Sequence, residues 1–313
     1  MARVLAMSAV EMRLREYLAM RRALGYGLRR QEKLLVQFLA FLADRGETQV
    51  TTSSALAWAK LPAGGDAWRS YRLAAVRGFA RYLASVGEPV EVPAVDLLPD
   101  QPHRAVPYLY SEEQIVALMN AAGTLRTPHR TVTMRTLIGL LAVTGMRIGE
   151  AIALDRGDFD EQHGVLTVRH GKLAKSRELP LHASTVAAVR GYLHRRDRPR
   201  GPAGETALLT SMAGTRLLIS NVSVAFRTLR SRAEIEPRSE RCRPRAHDLR
   251  HSFAVRTILD AYRSGDDAGP RLALLSTYLG HVDPASSYWY LEAAPDLMAA
   301  AGDRLERYLE GQQ

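Results

Sequence analysis

Four residues near the C-terminal end of the sequence have side chains suited to chemistry on a phosphate ester: His247, Arg250, His281 and Tyr290. If a helix begins at His247, then His247 and Arg250 lie three residues apart on one face. A guanidinium offers a planar fork of donors, so an imidazole beside it suits a phosphate oxygen better than a carbonyl. Tyr290 then has one obvious use, which is attack on the phosphorus.

The His–Arg pair alone does not distinguish this chemistry from a surface helix with a hydrogen-bonded histidine. With 9 His and 43 Lys plus Arg in 313 residues, about one such pair is expected by chance. The run His247-Asp248-x-x-His251 also resembles the zinc-protease pattern, with Asp in the position of the base. Zinc is disfavoured there, because Arg250 would place a cation beside the metal and Asp is shorter than the usual Glu.

The composition favours a polyanionic partner. A net charge of +10 and a pI near 10.0 point to nucleic acid, with a solvated basic surface as the alternative. A single cysteine, Cys242, excludes an internal disulfide and a cysteine-rich zinc site, and suits a reducing cytoplasm. No apolar run approaches the roughly 20 residues of a membrane helix. We expect no membrane association and a cytoplasmic, nucleoid-associated location.

The first 90 or so residues predict helices. One buried stripe at spacings of three and four consists of Leu28, Leu34, Leu35, Phe38, Leu39 and Leu42. A second helix, after Asp66, has one apolar arc formed by Trp68, Tyr71, Ala75, Phe79, Tyr82 and Val86. The opposite half of that helix carries Arg69, Arg72, Arg77 and Arg81. These arginines are candidate phosphate contacts, and a solvated arginine face is an equally good interpretation.

A proline-rich stretch separates two predicted domains. Its members are Pro89, Pro93, Pro99, Pro102 and Pro107. Because proline lacks an amide donor and pushes the preceding residue into an extended conformation, we expect a linker from about residue 88. The domains are then residues 1–104 and 105–313. Ser111 and Gln114 form a capping box that begins the first helix of the second domain.

Two segments of the second domain contain further candidates. Residues 133–154 predict a helix that is interrupted at 144–147. Arg147 and Glu150 are three residues apart at this break. The alternative to a functional arginine is an ordinary intrahelical ion pair, worth about 0.3–0.5 kcal/mol. Residues 165–169 and 177–181 then predict two strands of a hairpin with Lys172 and Lys175 near its tip. A lysine at such a tip is either exposed to solvent or directed into the candidate site.

A basic region lies just before His247. A helix predicted over residues 221–233 turns Phe226 and Leu229 inward while Arg227 and Arg230 can face outward. Arg245 continues this run of arginines toward the candidate site. We therefore count these three arginines among the candidate DNA contacts.

Five features now stand in one order along the chain. They are Arg147 in Thr-Gly-Met-Arg-Ile-Gly-Glu, Lys172 on a hairpin, His247-x-x-Arg250, His281 after Leu-Gly, and Tyr290 nine residues further on. Each motif alone is common, whereas the ordered set resembles the tyrosine recombinase, or phage-integrase, superfamily. The resemblance covers the chain from about Ser111 onward, and the helical N-terminal part is similar to that family's core-binding domain.

The resemblance implies a mainly α fold with a small β-hairpin or sheet, in which a helical core-binding domain and a mixed catalytic domain clamp duplex DNA. It implies that Arg147 and Arg250 hold the phosphate, that Lys172 is the general acid and that Tyr290 is the nucleophile. His247 and His281 become supporting proton-transfer or hydrogen-bonding groups. No metal or cofactor is implied.

The activity implied is that of a site-specific recombinase or integrase which cleaves and rejoins DNA through a 3′-phosphotyrosine. We expect double-stranded DNA as partner, a homo-oligomer from dimer to tetramer on DNA, and sister recombinases if a transposon encodes the chain. A helix predicted after Pro295 would form a C-terminal tail. A type IB topoisomerase shares the chemistry, but the compact helical N-terminal domain disfavours it. The complete residue set disfavours a DNA-binding accessory protein with an idle site.

Overall fold

The computed structural model describes residues 2–99, 105–169, 176–196, 206–264 and 268–280, together with positions 299 and 302. Outside the described residues lie Lys172, Lys175, His281, Tyr288 and Tyr290, and most of the predicted tail helix. The chain divides into two compact units, Met1–Arg104 and Ala105–Gln313.

The regular secondary structure in the described part of the N-terminal unit is helical. Its helices are α1 (Ala2–Ala23), α2 (Arg29–Arg45), α3 (Thr52–Lys60) and α4 (Asp66–Ser85). The predicted stripe of α2 is confirmed from Leu34 to Leu42, and Phe38 is completely buried. α2 ends at Arg45, and Gly46 after it adopts the left-handed conformation with φ 75°. A capping box between Thr51 and Ser54 begins α3.

The buried face of α4 differs from the predicted one. Ala75 and Phe79 of the predicted arc are buried, and Leu73 and Val76 are buried beside them, while Val86 is 40% exposed. The buried face therefore overlaps the predicted arc only in part. Arg72 lies inside the unit, with its guanidinium 3.6 Å from the centroid of the Trp58 ring and Nη2 donating to the Trp58 carbonyl. The prediction that Arg72 faces outward is wrong, because stacking on Trp58 satisfies this cation within the core.

The proline-rich segment after α4 packs on the N-terminal unit. The guanidinium of Arg77 donates to the carbonyls of Pro93 at 2.8 Å and Ala94 at 2.7 Å. Leu98 is buried in the same core as the helices. The described part of the predicted linker, up to residue 99, is therefore bound to this unit, and Arg77 holds it in place instead of presenting its charge outward.

The C-terminal unit combines helices with one small sheet. Its helices in the described residues are α5 (Glu112–Ala121), α6 (Pro128–Thr144), α7 (Ile148–Ala153), α8 (Ala183–Arg196), α9 (Ile219–Arg232), α10 (Asp248–Arg263) and α11 (Ala268–Leu279). The sheet contains β1 (Phe159–Asp160), β2 (Val165–Val168) and β3 (Arg177–Pro180), antiparallel in that order. Val165 pairs with Pro180 and Val168 with Arg177, which confirms the predicted hairpin; β1 is a further strand that the sequence did not predict.

α6 is the central helix of this unit, and its limits follow from local sequence. Leu137, Ile138 and Leu140 are at most 1% exposed. Thr127 caps the N-terminus ahead of Pro128 at the first helical position, and Gly145 ends the helix. The predicted mainly α fold with a small sheet is confirmed. Among the described residues no helix is long and apolar enough to cross a membrane.

Candidate active site

A sharp turn between α6 and α7 presents Arg147. The turn depends on Gly145, whose φ of 59° lies in the left-handed region that glycine adopts at little cost. A Cβ at this position would lie 2.4 Å from Cδ1 of Phe253 and 2.9 Å from Cδ2 of Leu279. Glycine therefore allows α10 and α11 to pack closely on the turn, and Arg147 follows at the N-cap of α7.

Arg147 is held by Glu150, the partner suggested by their spacing. Arg147 Nη1 lies 2.8 Å from Glu150 Oε1, and the backbone N–H of Arg147 donates to Oε2 at 2.9 Å. The side chain of Glu150 is 9% exposed and that of Arg147 is 28% exposed. Glu150 thus orients Arg147 from inside the protein, while part of the guanidinium remains accessible.

Arg250 lies inside the unit, with 2% of its surface exposed. Its Nη1 donates to the carbonyl of Gly145 and its Nη2 to the carbonyl of Leu279, both at 2.8 Å. These two bonds connect the turn after α6 to the C-terminal end of α11, with α10 between them. Arg250 and Arg147, which are far apart in sequence, therefore meet at one turn.

His247 lies at the entrance to α10. The helix begins at Asp248, one residue later than a helix starting at His247 would, so His247 is its exposed N-cap residue. The His247 ring is 5.0 Å from the ring of buried His251 in an edge-on arrangement. His247 and Arg250 therefore share the first turn of α10, but His247 is at the surface and Arg250 is inside.

Arg177 is a member of the site that sequence reasoning missed. Its Nη2 lies 2.7 Å from Glu150 Oε2, its Nη1 3.3 Å from Oε1, and its Nε donates to the carbonyl of Tyr278 at 2.8 Å. Its side chain is 13% exposed. The signal was present in the strand period, because Arg177 shares a face of β3 with fully buried Leu179.

The three guanidiniums of Arg147, Arg177 and Arg250 all contact backbone carbonyls at the C-terminal end of α11. Carbonyls at the end of a helix lack intrahelical partners and carry its negative partial charge. Here Arg177 binds the carbonyl of Tyr278, Arg250 binds that of Leu279, and Arg147 Nη2 lies 3.5 Å from that of Gly280. His281 is the next residue in the sequence. The helix end thus helps to hold cations that would otherwise repel one another.

The electrostatics of the site follow from this crowding of arginines. Burial alone would raise the pKa of the Glu150 carboxyl, but hydrogen bonds from Arg177 and from the backbone and side chain of Arg147 lower the pKa to about 2. Glu150 is therefore ionised. With one carboxylate among Arg147, Arg177 and Arg250, the cluster keeps a net positive charge, which suits a phosphate.

Asp248 fixes the first turn of α10. Its carboxylate is fully buried and accepts from Arg245 Nη2 at 2.9 Å and from the Arg245 backbone N–H at 2.9 Å. Burial raises the pKa of the Asp248 carboxyl, and Arg245 opposes that rise. Ser252 donates to the Asp248 carbonyl and accepts from the N–H of Tyr110, both within 2.9 Å. Arg245, a predicted DNA contact, therefore has a structural partner, although 46% of its side chain is exposed.

The remaining candidate DNA contacts differ in exposure. Arg81 on α4 and Arg227 on α9 are exposed. Arg69 and Arg230 are half-buried, and Arg69 Nη1 lies 3.2 Å from the carboxylate of Asp66. Phe226 and Leu229 are buried beneath α9 as the helix period predicts. Arg81 and Arg227 are thus the two predicted contacts best presented to a partner.

The zinc interpretation of His247 and His251 finds no support in the geometry. In the part of the chain that the structure describes, no group of three or more His, Cys, Asp or Glu side chains is arranged to hold a metal ion. Asp248, which would take the position of the base, is instead buried against Arg245.

Comparison with known proteins identifies relatives along most of the chain. The model of the phage integrase family matches residues 109–296. "Putative integrase/recombinase y4rB" of Sinorhizobium fredii is 41% identical over 97% of this chain and 99% of its own length. The tyrosine recombinase XerC of Azotobacter vinelandii is 28% identical, over 74% of this chain and 71% of its own.

Solved structures share the fold. A XerH site-specific recombinase bound to its palindromic difH substrate, in a post-cleavage complex, aligns with a TM-score of 0.62 and 20% identity, over 90% of this chain and 80% of that one. The Tn1549 transposon integrase in complex with transposon right end DNA also gives 0.62, with 17% identity over 94% of this chain and 99% of that one. At these identities the likeness shows a common fold.

Proposed function

The chain belongs to the phage integrase family of tyrosine recombinases, and from this premise we propose that it cuts DNA by forming a 3′-phosphotyrosine at Tyr290. The resemblance found in the sequence is confirmed, and the family makes the chain a site-specific recombinase that breaks and rejoins DNA. Neither the topoisomerase nor the accessory-protein alternative is favoured.

The convergence of Arg147 and Arg250 is the observation that carries the proposal. Both contact the same short segment, Leu279–Gly280, which directly precedes His281 in the sequence. Negative charge builds on the non-bridging oxygens as a nucleophile attacks phosphorus. Two guanidiniums fixed in advance stabilise that charge more in the transition state than in the ground state.

The remaining catalytic roles follow from the chemistry of the step. The Tyr290 oxygen attacks the phosphorus and releases the 5′-oxygen, which Lys172 protonates as general acid. Tyrosine has a reference pKa of about 10, so its proton needs an acceptor at neutral pH, and His247 and His281 are the proposed proton-transfer groups. A 5′-hydroxyl from another strand then attacks the phosphotyrosine and restores both the DNA and Tyr290.

Both units are proposed to contact double-stranded DNA. The helical N-terminal unit takes the part of the core-binding domain, with Arg69 and Arg81 as phosphate contacts, and the C-terminal unit is the catalytic domain, with Arg227 and Arg230. Arg72 does not contact DNA in this proposal, because its guanidinium is stacked on Trp58 in the core. Exchange between two duplexes requires four strand cuts, so one tyrosine per protomer implies a tetramer on DNA assembled from dimers.

Covalent capture tests the proposed function. Duplexes made from the DNA flanking this gene, with a nick just 3′ of each candidate phosphate, lose the 5′-hydroxyl fragment after cleavage and trap the intermediate. The wild-type protein should give a covalent adduct on a denaturing gel, with or without a chelator. Tyr290→Phe should give none, whereas Tyr288→Phe, the matched control, should still give it. An adduct that survives Tyr290→Phe and disappears in Tyr288→Phe would contradict the assignment.

A further inference from the structure

The Glu150 carboxylate has two guanidiniums as partners, and Arg177 gives it more terminal nitrogens than Arg147 does. Both Arg177 terminal nitrogens lie within hydrogen-bonding distance of the two carboxylate oxygens, at 2.7 and 3.3 Å. Arg147 reaches the same carboxylate with Nη1 alone and with its backbone N–H. The carboxylate lies 9% exposed between them, so the two arginines divide one buried acceptor.

The sharing of Glu150 determines how many nitrogens of the Arg147 guanidinium remain available to bind a ligand. A carboxylate with a single arginine partner commonly takes it in a bidentate pair, with two parallel N–H···O bonds. Such a pair would turn a second nitrogen of Arg147 inward and neutralise its charge. Because Arg177 occupies both oxygens, Arg147 gives Glu150 one terminal nitrogen.

We propose that Arg177 is a positioning residue for strand cleavage, which keeps the Arg147 guanidinium directed at the scissile phosphate by sharing Glu150 with it. Arg177 does not itself contact DNA in this account. It acts through Glu150, and the net charge of the cluster stays positive because two arginines face one acid. This inference rests on the proposed function, since it requires that Arg147 binds the phosphate.

A second contact explains why an arginine is suited to this position. Arg177 Nε donates to the carbonyl of Tyr278, so the guanidinium connects β3 to the end of α11. A Cβ built on Gly280, whose φ is 67°, would lie 3.1 Å from Arg177 Nη1 and 3.3 Å from Cζ. Lysine has one nitrogen and cannot bind both Glu150 oxygens and the Tyr278 carbonyl in this fixed geometry.

The test compares two substrates that differ in charge at the scissile phosphate. One is the nicked phosphodiester, and the other carries a methylphosphonate there, in which an uncharged methyl replaces one non-bridging oxygen. A cation that stabilises the phosphate charge matters less on the methylphosphonate. The measurement is the rate of adduct formation for wild type and variants on each substrate, with DNA binding and thermal unfolding measured in parallel.

Arg177→Met should slow adduct formation on the phosphodiester by roughly 10–100-fold, the range found when a residue that orients a metal ligand is lost. DNA binding should stay close to that of wild type. On the methylphosphonate the ratio of wild-type to variant rates should fall toward one, as it should for Arg147→Met. Arg177→Lys should also be slower than wild type on the phosphodiester, by a smaller factor, and close to wild type on the methylphosphonate. If Arg177→Met fails to fold, Arg177→Lys is the variant used for the test.

Arg216→Met is the matched control. Arg216 also combines carbonyl partners, Ile152 and Leu154, with a carboxylate partner, Asp155, and it shares none of these with Arg147, Arg177 or Arg250 in the hydrogen bonds described above. Its loss should alter stability and leave the ratio between the two substrates unchanged.

The outcomes separate this inference from the proposed function. If wild type forms no adduct on the phosphodiester, or if Arg147→Met gains nothing from the methylphosphonate, the proposed function or its arginine clamp is at fault. If Arg147→Met is rescued while both Arg177 variants stay equally slow on the two substrates, the positioning role of Arg177 is overturned. Unchanged adduct formation by Arg177→Met on the phosphodiester would overturn it as well.

Discussion

Single residues explain how three cations coexist at the candidate site. The carboxylate of Glu150 neutralises one of them, and the unpartnered carbonyls at the end of α11 accept from Arg147, Arg177 and Arg250. Removing Glu150, the one carboxylate among them, would leave the three guanidiniums without a compensating negative charge. The positive charge that remains is the property needed to hold a phosphate and to stabilise its transition state.

Lys172→Ala tests the identity of the general acid. A 5′-bridging sulfur in place of the scissile oxygen makes a leaving group that barely needs a proton. On normal DNA the variant should be slowed by roughly 10²–10⁴-fold, the contribution of general acid catalysis, and on the sulfur substrate most of that loss should disappear. The measurement is adduct formation by wild type and variant on both duplexes.

The control for this substrate is Tyr290→Phe, which should stay inactive on both, since no leaving group replaces a missing nucleophile. If sulfur fails to rescue Lys172→Ala, the lysine positions the phosphate and the acid lies elsewhere. Lys175→Ala, tested in the same way, is then the first alternative.

The pKa of Glu150 makes a prediction about stability and pH. Because its folded-state pKa of about 2 lies below the ordinary value of 4.5, the ionised carboxylate stabilises the fold above pH 4.5 and loses that effect as the pH falls toward 2. The shift corresponds to a contribution on the order of 3 kcal/mol. Glu150→Gln should lower the free energy of unfolding most near neutral pH, and the difference should shrink in acid.

Denaturant unfolding of wild type and Glu150→Gln between pH 7 and the acid range provides the measurement. Glu178→Gln, a change at an exposed residue of β3, is the control and should differ little from wild type throughout. A deficit in Glu150→Gln that grows as the pH falls would show that the carboxylate is not held by the arginines.

At the scale of elements, the site depends on how closely α10 and α11 pack on the turn after α6. Gly145→Ala should lower the free energy of unfolding by roughly 2–4 kcal/mol, because it combines a left-handed φ with overpacking against Phe253 and Leu279. It should also reduce adduct formation, since Arg250 binds the Gly145 carbonyl. Thermal unfolding and the nicked-substrate assay measure the two effects.

Gly139→Ala, a change inside α6, is the control. A Cβ there would make an ordinary contact of 3.5 Å with Met119 Cε, and alanine in a helix is favoured over glycine by roughly 0.5–1 kcal/mol. This variant should be as stable as wild type or more so, and fully active. If Gly145→Ala behaved like Gly139→Ala, the turn would not need its glycine.

The elements could be predicted from sequence where a pattern is local. The capping box at Ser111, the break at Gly145 and the hairpin strands are all set by residues near in sequence, and the structure contains them. The face of α4 was predicted only in part, because Leu73 and Val76 are buried beside Ala75 and Phe79 of the predicted arc. Helical period alone does not reveal which neighbours will cover a helix.

The candidate site was only partly predictable for a related reason. Arg147 and Glu150 are three residues apart, so their pairing could be predicted from the sequence. Arg177 reaches Glu150 and Tyr278 from a different strand, so no spacing in the sequence points to either partner. A contact between distant segments becomes visible once β3 is paired with β2 and α11 is placed against the turn at Gly145.

At the scale of the whole molecule, positive charge is the property that both units have in common. The net charge of +10 is distributed over both units, and the exposed arginines include Arg81 in the first and Arg227 in the second. Each phosphate contact releases condensed counterions when the protein binds DNA. The affinity for DNA should therefore depend steeply on salt.

This dependence can be assigned to single arginines. Binding to a duplex should weaken linearly on a plot of log affinity against log salt, and Arg81→Gln or Arg227→Gln should reduce the slope by about one each. Arg190→Gln is the control, since this exposed arginine pairs with Glu161 and is not a proposed contact. An affinity that stays flat between low and physiological salt would contradict the electrostatic account.

The linkage itself provides the most direct test of the proposed function. The adduct trapped on a nicked duplex can be digested with nuclease and protease, and the peptide that carries the remaining nucleotide can be sequenced by mass spectrometry. We expect one nucleotide joined through its 3′-phosphate to Tyr290, with a 5′-hydroxyl on the released strand. A nucleotide on Tyr288, a linkage through a 5′-phosphate, or cleavage without any covalent peptide would contradict it.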